Sequence, residues 1–157
     1  MLNRLSELRD KRERGEGGFT LIELLVVVVI IGILIAIAIP LYLNYKKGAN
    51  DKAAQSDVRG AISALEQCMS DNSSYPTGYT ATTGVLANCT QTINTSSGTT
   101  LSYVVNGTTP PTAYDLFAVN SGGNVTSGSA YYCYSSAAGG SVVKKTGAVP
   151  TAYAATC

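Results

Sequence analysis

The chain has 157 residues, enough for one domain plus an anchor, with 11 basic and 10 acidic side chains and a formal net charge of +1. It contains no histidine and no tryptophan but ten tyrosines, and only 13% of its residues are charged. That composition excludes histidine-based acid–base chemistry and histidine metal ligation. It also gives a long polyanion little general attraction, so nucleic acid is not expected as a direct high-affinity ligand.

Residues 1–18 place Leu2, Leu5 and Leu8 at helical spacing, too few to form a core. A charged run follows, with Arg4, Arg9, Lys11, Arg12 and Arg14 against Glu7, Asp10, Glu13 and Glu16. Basic residues before a first span favour a cytoplasmic N-terminus. Gly15, Gly17 and Gly18 then precede Phe19. Glycines at 17 and 18 allow the backbone to extend there without steric cost. From Leu24 to Ile39 the chain carries sixteen consecutive apolar or glycine residues. Over Leu21 to Leu43 the notable breaks are Glu23, Pro40 and Tyr42. As a helix this window is about 35 Å long, enough to cross a hydrocarbon core of about 30 Å. A secretory signal would be shorter and would end in a small-residue cleavage site, which is absent after Ile39. A plain anchor leaves Glu23 unexplained, because a carboxylate in a membrane segment is expensive.

The order Gly17-Gly18-Phe19-Thr20-Leu21-Ile22-Glu23, followed by the apolar run with Gly32 and Pro40, resembles the N-terminus of the type IV pilin and pseudopilin family. The resemblance is specific over residues 17 to about 70 and rests on general layout beyond. It implies that Gly17, Gly18 and Phe19 form the cleavage junction of a prepilin peptidase and N-methyltransferase, which would cut after Gly18 and methylate the new amine of Phe19. It further implies a filament core of bundled apolar helices. There Glu23 would neutralise the Phe19 amine of a neighbouring copy and set the axial register, with Leu21, Leu24, Leu25 and Val28 packing around it. Pro40 removes a hydrogen bond to Ala36, so a kinked but intact helix is expected in the free subunit. The segment between Gly32 and Pro40 would be the part that loosens in a filament.

One helix is predicted from near Phe19 to about Met69. Past Lys46 its apolar stripe is Ala54, Val58, Ala61, Ile62, Leu65 and Met69. Asp51, Gln55, Arg59, Ser63 and Glu66 are assigned to a solvated or neighbour-facing side. Ser70 to Ser74 and Pro76 stop the helix. Residues 70–100 read as a polar connection without periodicity. Strands are predicted at Leu101–Val105, closed by the Asn106-Gly107 turn, at Tyr114–Val119 and at Ala130–Tyr134. Ser141–Lys145 is a short edge strand carrying Lys144 and Lys145. Asp115 reads as a solvated strand-edge carboxylate. Among Tyr131, Tyr132 and Tyr134 at least one should be core.

Cys68, Cys89, Cys133 and Cys157 all follow the span. Their spacing, without histidine, argues against a metal site and for two disulfides. Three pairings are open; we expect Cys68 with Cys89 and Cys133 with Cys157, the pairings that pin the polar connection and the chain end. No cofactor and no enzymatic constellation is expected.

The expected fold is α+β: a long N-terminal helix, apolar in its first half, whose amphipathic second half packs on an antiparallel sheet of three or four strands. The expected division is a cleaved cytoplasmic leader (1–18), a transmembrane or filament-core helix (19–45) and a globular head (46–157). With the resemblance, the chain is expected to be a structural subunit of a type IV pilus. It would be membrane-inserted before assembly and extracellular afterwards, and its partners would be its own copies, the peptidase and a membrane assembly platform. A competence pilin, a minor pilin and a secretion pseudopilin are the alternatives.

Overall fold

The computed structural model describes residues 19–76, 80–81, 84–85, 89–106, 111–150 and 157. The leader, including Gly17 and Gly18, and Gly107 of the predicted turn lie outside the described residues. The chain divides into two compact units, one ending at Tyr42 and one running from Leu43 to Cys157.

A 52-residue helix, α1, covers Leu21–Asn72 and runs through Gly32 and Pro40 without interruption. Its C-terminus is closed by Ser73, which adopts a left-handed φ of 56° and donates its N–H to the Met69 carbonyl at 2.8 Å. This is the left-handed stop, here made by a serine, and Pro76 follows within a few residues. The Asn72 side chain adds a bond to the Cys68 carbonyl at 3.1 Å, satisfying another carbonyl of the last turn.

Among the described residues seven strands follow: β1 (Thr80–Ala81), β2 (Gly84–Val85), β3 (Thr92–Ile93), β4 (Thr99–Asn106), β5 (Ala113–Asn120), β6 (Ala130–Ser135) and β7 (Val143–Thr146). The antiparallel main sheet has the order β1-β4-β5-β6-β7, and β2 and β3 form a separate ribbon. The sheet therefore exceeds the expected three or four strands. The additional strand and the ribbon are two-residue pieces, too short to leave an alternation in the sequence.

Burial of α1 in the head follows a helical period. Ala54, Val58, Ala61, Leu65 and Cys68 pack with Leu101 and Tyr103 of β4, Tyr114, Leu116 and Ala118 of β5, and Ala130 and Tyr132 of β6. Alanines at 54 and 61 leave room for the bulky sheet side chains opposite. The opposite face of the sheet is also buried. Val104, Phe117, Val119, Tyr131 and Cys133 form a second cluster, against which Val149 and Cys157 pack. Central strand β5 is thus buried on both faces.

Asp115 and Asp51 depart from expectation, and Asp57 is buried as well. Asp115 is fully buried in the centre of the sheet, 0% exposed, rather than solvated at an edge, because β5 lies between β4 and β6. Asp51 and Asp57, only 9% and 8% exposed, hold loops instead of facing water. Asp51 accepts bonds from Asn124 Nδ2 and the Val125 N–H, both at 3.1 Å. Asp57 accepts from the Ser96 N–H and hydroxyl, both at 2.9 Å. Such bonds to ionised acceptors are the strong ones, which makes burial of these carboxylates tolerable.

Candidate functional site: the N-terminal end of α1

The helix begins in a reciprocal cap. Thr20 is the N-cap: its carbonyl accepts the first helical bond, from the Leu24 N–H at 3.3 Å, and its hydroxyl oxygen accepts the Glu23 N–H at 3.3 Å. In return Glu23 Oε2 accepts the Thr20 N–H and the Thr20 hydroxyl, both at 2.8 Å. Two of the unsatisfied N–H groups at the helix start are thereby paired within a Thr-x-x-Glu capping box. The acid also stands where the helix dipole favours negative charge. Phe19 and Leu24 occupy the positions that flank the box, and both remain exposed. Sequence reasoning missed this cap, although Thr20-Leu21-Ile22-Glu23 spells it.

Phe19 precedes the helix and Leu21, Leu24, Leu25 and Val28 lie on its first two turns; all are solvent-exposed in the single chain, Phe19 at 83%. Leu21, Leu24, Leu25 and Val28 follow the i, i+3, i+4, i+7 rule and share one face. Glu23 lies about 200° from Leu21 around the helix, on the other side. Its same-face neighbours are Val26, Val27 and Ile30. The carboxylate and the four-residue stripe therefore lie on different sides of the helix. From Leu21 to Leu43 every large apolar side chain is exposed, and the helix is long and apolar enough to cross a membrane.

A second polar constellation fastens the far end of α1. Glu66 Oε1 accepts the Tyr114 hydroxyl at 2.8 Å, and the Tyr75 hydroxyl lies 3.2 Å from both Glu66 oxygens. The Tyr75 and Tyr114 rings meet edge to face at 4.8 Å, and the Tyr103 and Tyr134 rings lie tilted against Tyr114 at 5.8 and 6.0 Å. Burial, and then the Glu66 charge, pushes the Tyr75 hydroxyl up to about 12; Tyr114 moves further in the same direction, again by burial and then by its bond to Glu66. These hydroxyls therefore stay protonated as donors, and the cluster works as a clasp.

Disulfides join Cys68 to Cys89 and Cys133 to Cys157, with Cα separations of 5.6 and 5.8 Å. The first ties the last turn of α1 to the connection, the second ties the final residue to β6. Among the described residues, no group of acids and cysteines is placed to hold a metal ion.

Residues 14–39 match the family model described as the prokaryotic N-terminal methylation motif. The chain is 43% identical over 67 residues to the type II secretion system core protein G of Vibrio cholerae, a match covering 43% of this chain and 46% of the relative. It is 43% identical over 68 residues to the type IV wide pilus major component PilA4 of Thermus thermophilus, covering 43% and 52%. The type IV major fimbrial protein FimA of Dichelobacter nodosus is 50% identical over 54 residues, covering 34% and 35%. The chain thus spans about half or less of the length of the curated relatives it matches. No solved structure matches it.

Proposed function

Because this chain belongs to the pilin and pseudopilin family, we propose that it is a structural subunit of a type IV pilus, with no catalytic role. The observation that carries this reading is the exposed apolar face of α1 from Leu21 to Leu43, flush with the methylation motif. An apolar surface of this extent must be covered by lipid or by identical helices. In the proposed sequence of events the precursor sits in the membrane with its N-terminus in the cytoplasm. A prepilin peptidase and N-methyltransferase cuts after Gly18 and methylates Phe19, and an assembly platform adds the subunit to a filament.

Glu23 is proposed to select axial register. After cleavage the Phe19 amine is a cation near neutral pH, with a reference pKa of about 7.7 to 8.0. A neighbouring Glu23 would neutralise it in the apolar layer, whereas an out-of-register subunit would leave both charges unpaired. The capping box sharpens the test. Glu23→Gln keeps an acceptor at the third helical position but removes the charge, while Thr20→Ala weakens the cap and keeps the charge. Register selection expects Glu23→Gln to be cleaved, to accumulate in the membrane and to give no sheared filaments, while Thr20→Ala still assembles. Normal filament yield from Glu23→Gln would refute the register role.

Several relatives bear the name type II secretion system core protein G, which favours a second reading as a secretion pseudopilin. One experiment separates the two. Cells are sheared, and the extracellular filament fraction is examined by N-terminal mass analysis. A type IV pilin gives abundant material of 139 residues beginning at a methylated Phe19. Processed protein confined to the envelope would support the pseudopilin, and a chain still carrying the leader would refute both.

A further inference from the structure

Immediately beyond Leu43, the end of the apolar run, α1 carries Tyr45, Lys46, Lys47 and Lys52, all exposed, with Tyr45 at 72%. On a helix Tyr45, Ala49 and Lys52 fall on one side, about a turn apart, with Lys46 about 100° and Lys47 about 200° around from Tyr45. Against these three lysines the same stretch holds one acid, Asp51, which is buried with its oxygens bonded to Asn124 and Val125. The start of the head helix is therefore a locally cationic collar, although the mature chain carries six basic and six acidic residues.

We propose that Tyr45, Lys46, Lys47 and Lys52 form a headgroup-binding belt that takes the phosphates of anionic phospholipids while the subunit is held in the membrane. The proposal rests on the membrane-inserted precursor described above. Tyrosine prefers the headgroup level, where its ring is half-immersed and its hydroxyl is wet. Lysine can lay its methylene stem on apolar surface and raise its ammonium to the phosphate layer. From Tyr45 to Lys52 the helix rises about 10 Å, comparable to the polar layer of roughly 5 to 8 Å on each side of a bilayer. The order along the chain, apolar residues, then tyrosine, then lysines, matches the order of layers crossed on leaving the hydrocarbon. The belt sets how deep the subunit rides, and its electrostatic hold must be released when the subunit leaves for a filament.

The test uses the full chain in nanodiscs of phosphatidylcholine alone or with phosphatidylglycerol, and reads lysine acetylation site by site by mass spectrometry. In phosphatidylglycerol discs, acetylation of Lys46, Lys47 and Lys52 should slow by about fivefold. High salt should remove that protection, and the edge-strand Lys144 and Lys145 serve as internal controls that do not change. Equal acetylation in both lipids, with residues 21–43 still shielded from protease, overturns the belt but leaves the membrane reading intact. Loss of that shielding in both discs overturns the membrane reading and the belt with it. Protection of equal size in phosphatidylcholine discs also overturns the belt, since it points to contacts between copies instead of anionic lipid.

Discussion

Thr20 is worth more than its place in a motif suggests, because its hydroxyl donates to Glu23 and accepts from the Glu23 N–H. Thr20→Val, close in shape, removes both bonds and should cost the helix start about 1 kcal/mol. Hydrogen exchange of the full chain in micelles should show Ile22 and Glu23 amides opening about fivefold more readily; unchanged exchange would mean the cap does not hold the end. Gly123 is a second residue with a specific constraint. A Cβ there would collide with the Asp51 carboxylate, which already holds the Val125 N–H. Gly123→Ala should therefore lower head stability by about 1 to 3 kcal/mol. Gly60, exposed with open space around it, should behave oppositely: Gly60→Ala should raise stability by about 1 kcal/mol through helix propensity. Denaturant titration of the two variants checks both signs.

At the scale of elements, α1 and the sheet are joined by Leu65 and the alanines that flank it, so Leu65→Ala should cost about 2 to 5 kcal/mol. The Glu66 clasp predicts an alkaline limit. In the unfolded chain tyrosine ionises at about 10, while Tyr75 in the fold does so at about 12. Between those values the folded state binds more protons, so stability is full below about pH 10 and falls as pH rises through about 12. A tyrosinate absorbance titration should show two groups of tyrosines, and the late group should ionise together with unfolding. One merged titration at the ordinary value would exclude the clasp.

The helix and the long strands were legible because each repeats: Ala54, Val58, Ala61 and Leu65 at helical steps, and Tyr114, Leu116 and Ala118 at every second residue. The two-residue strands β1, β2 and β3 repeat nothing. The burial of Asp57 and Asp51 was not legible either, since their partners lie 39 and 73 or more residues away and no local pattern announces them. Asp115 was misplaced for a related reason. The second buried sheet face depends on Val149 and Cys157 arriving from the chain end. The capping box was the opposite case, fully written in four adjacent residues but overshadowed by the membrane cost of Glu23.

For the whole molecule, the two disulfides secure different layers. Cys68–Cys89 fixes the connection to the helix, and Cys133–Cys157 brings the chain end against the outer sheet face. Replacing Cys133 and Cys157 with serine should lower stability by about 2 to 5 kcal/mol and expose Phe117 and Val119, measurable as increased binding of an apolar dye. The position of Cys68 has a mechanical consequence. It stands in the last turn of α1, beyond Asp51, Ala54, Val58, Ala61 and Leu65, so a tensile load entering along the helix from Leu43 meets only non-covalent contacts first. The polar anchors of Asp51 and Asp57 and the apolar stripe from Ala54 to Leu65 must yield in shear before the covalent link is reached. Under single-molecule pulling, the first rupture should therefore be indifferent to reductant. The length of chain released afterwards should not be, because the intact Cys68–Cys89 bond withholds the segment between them from extension.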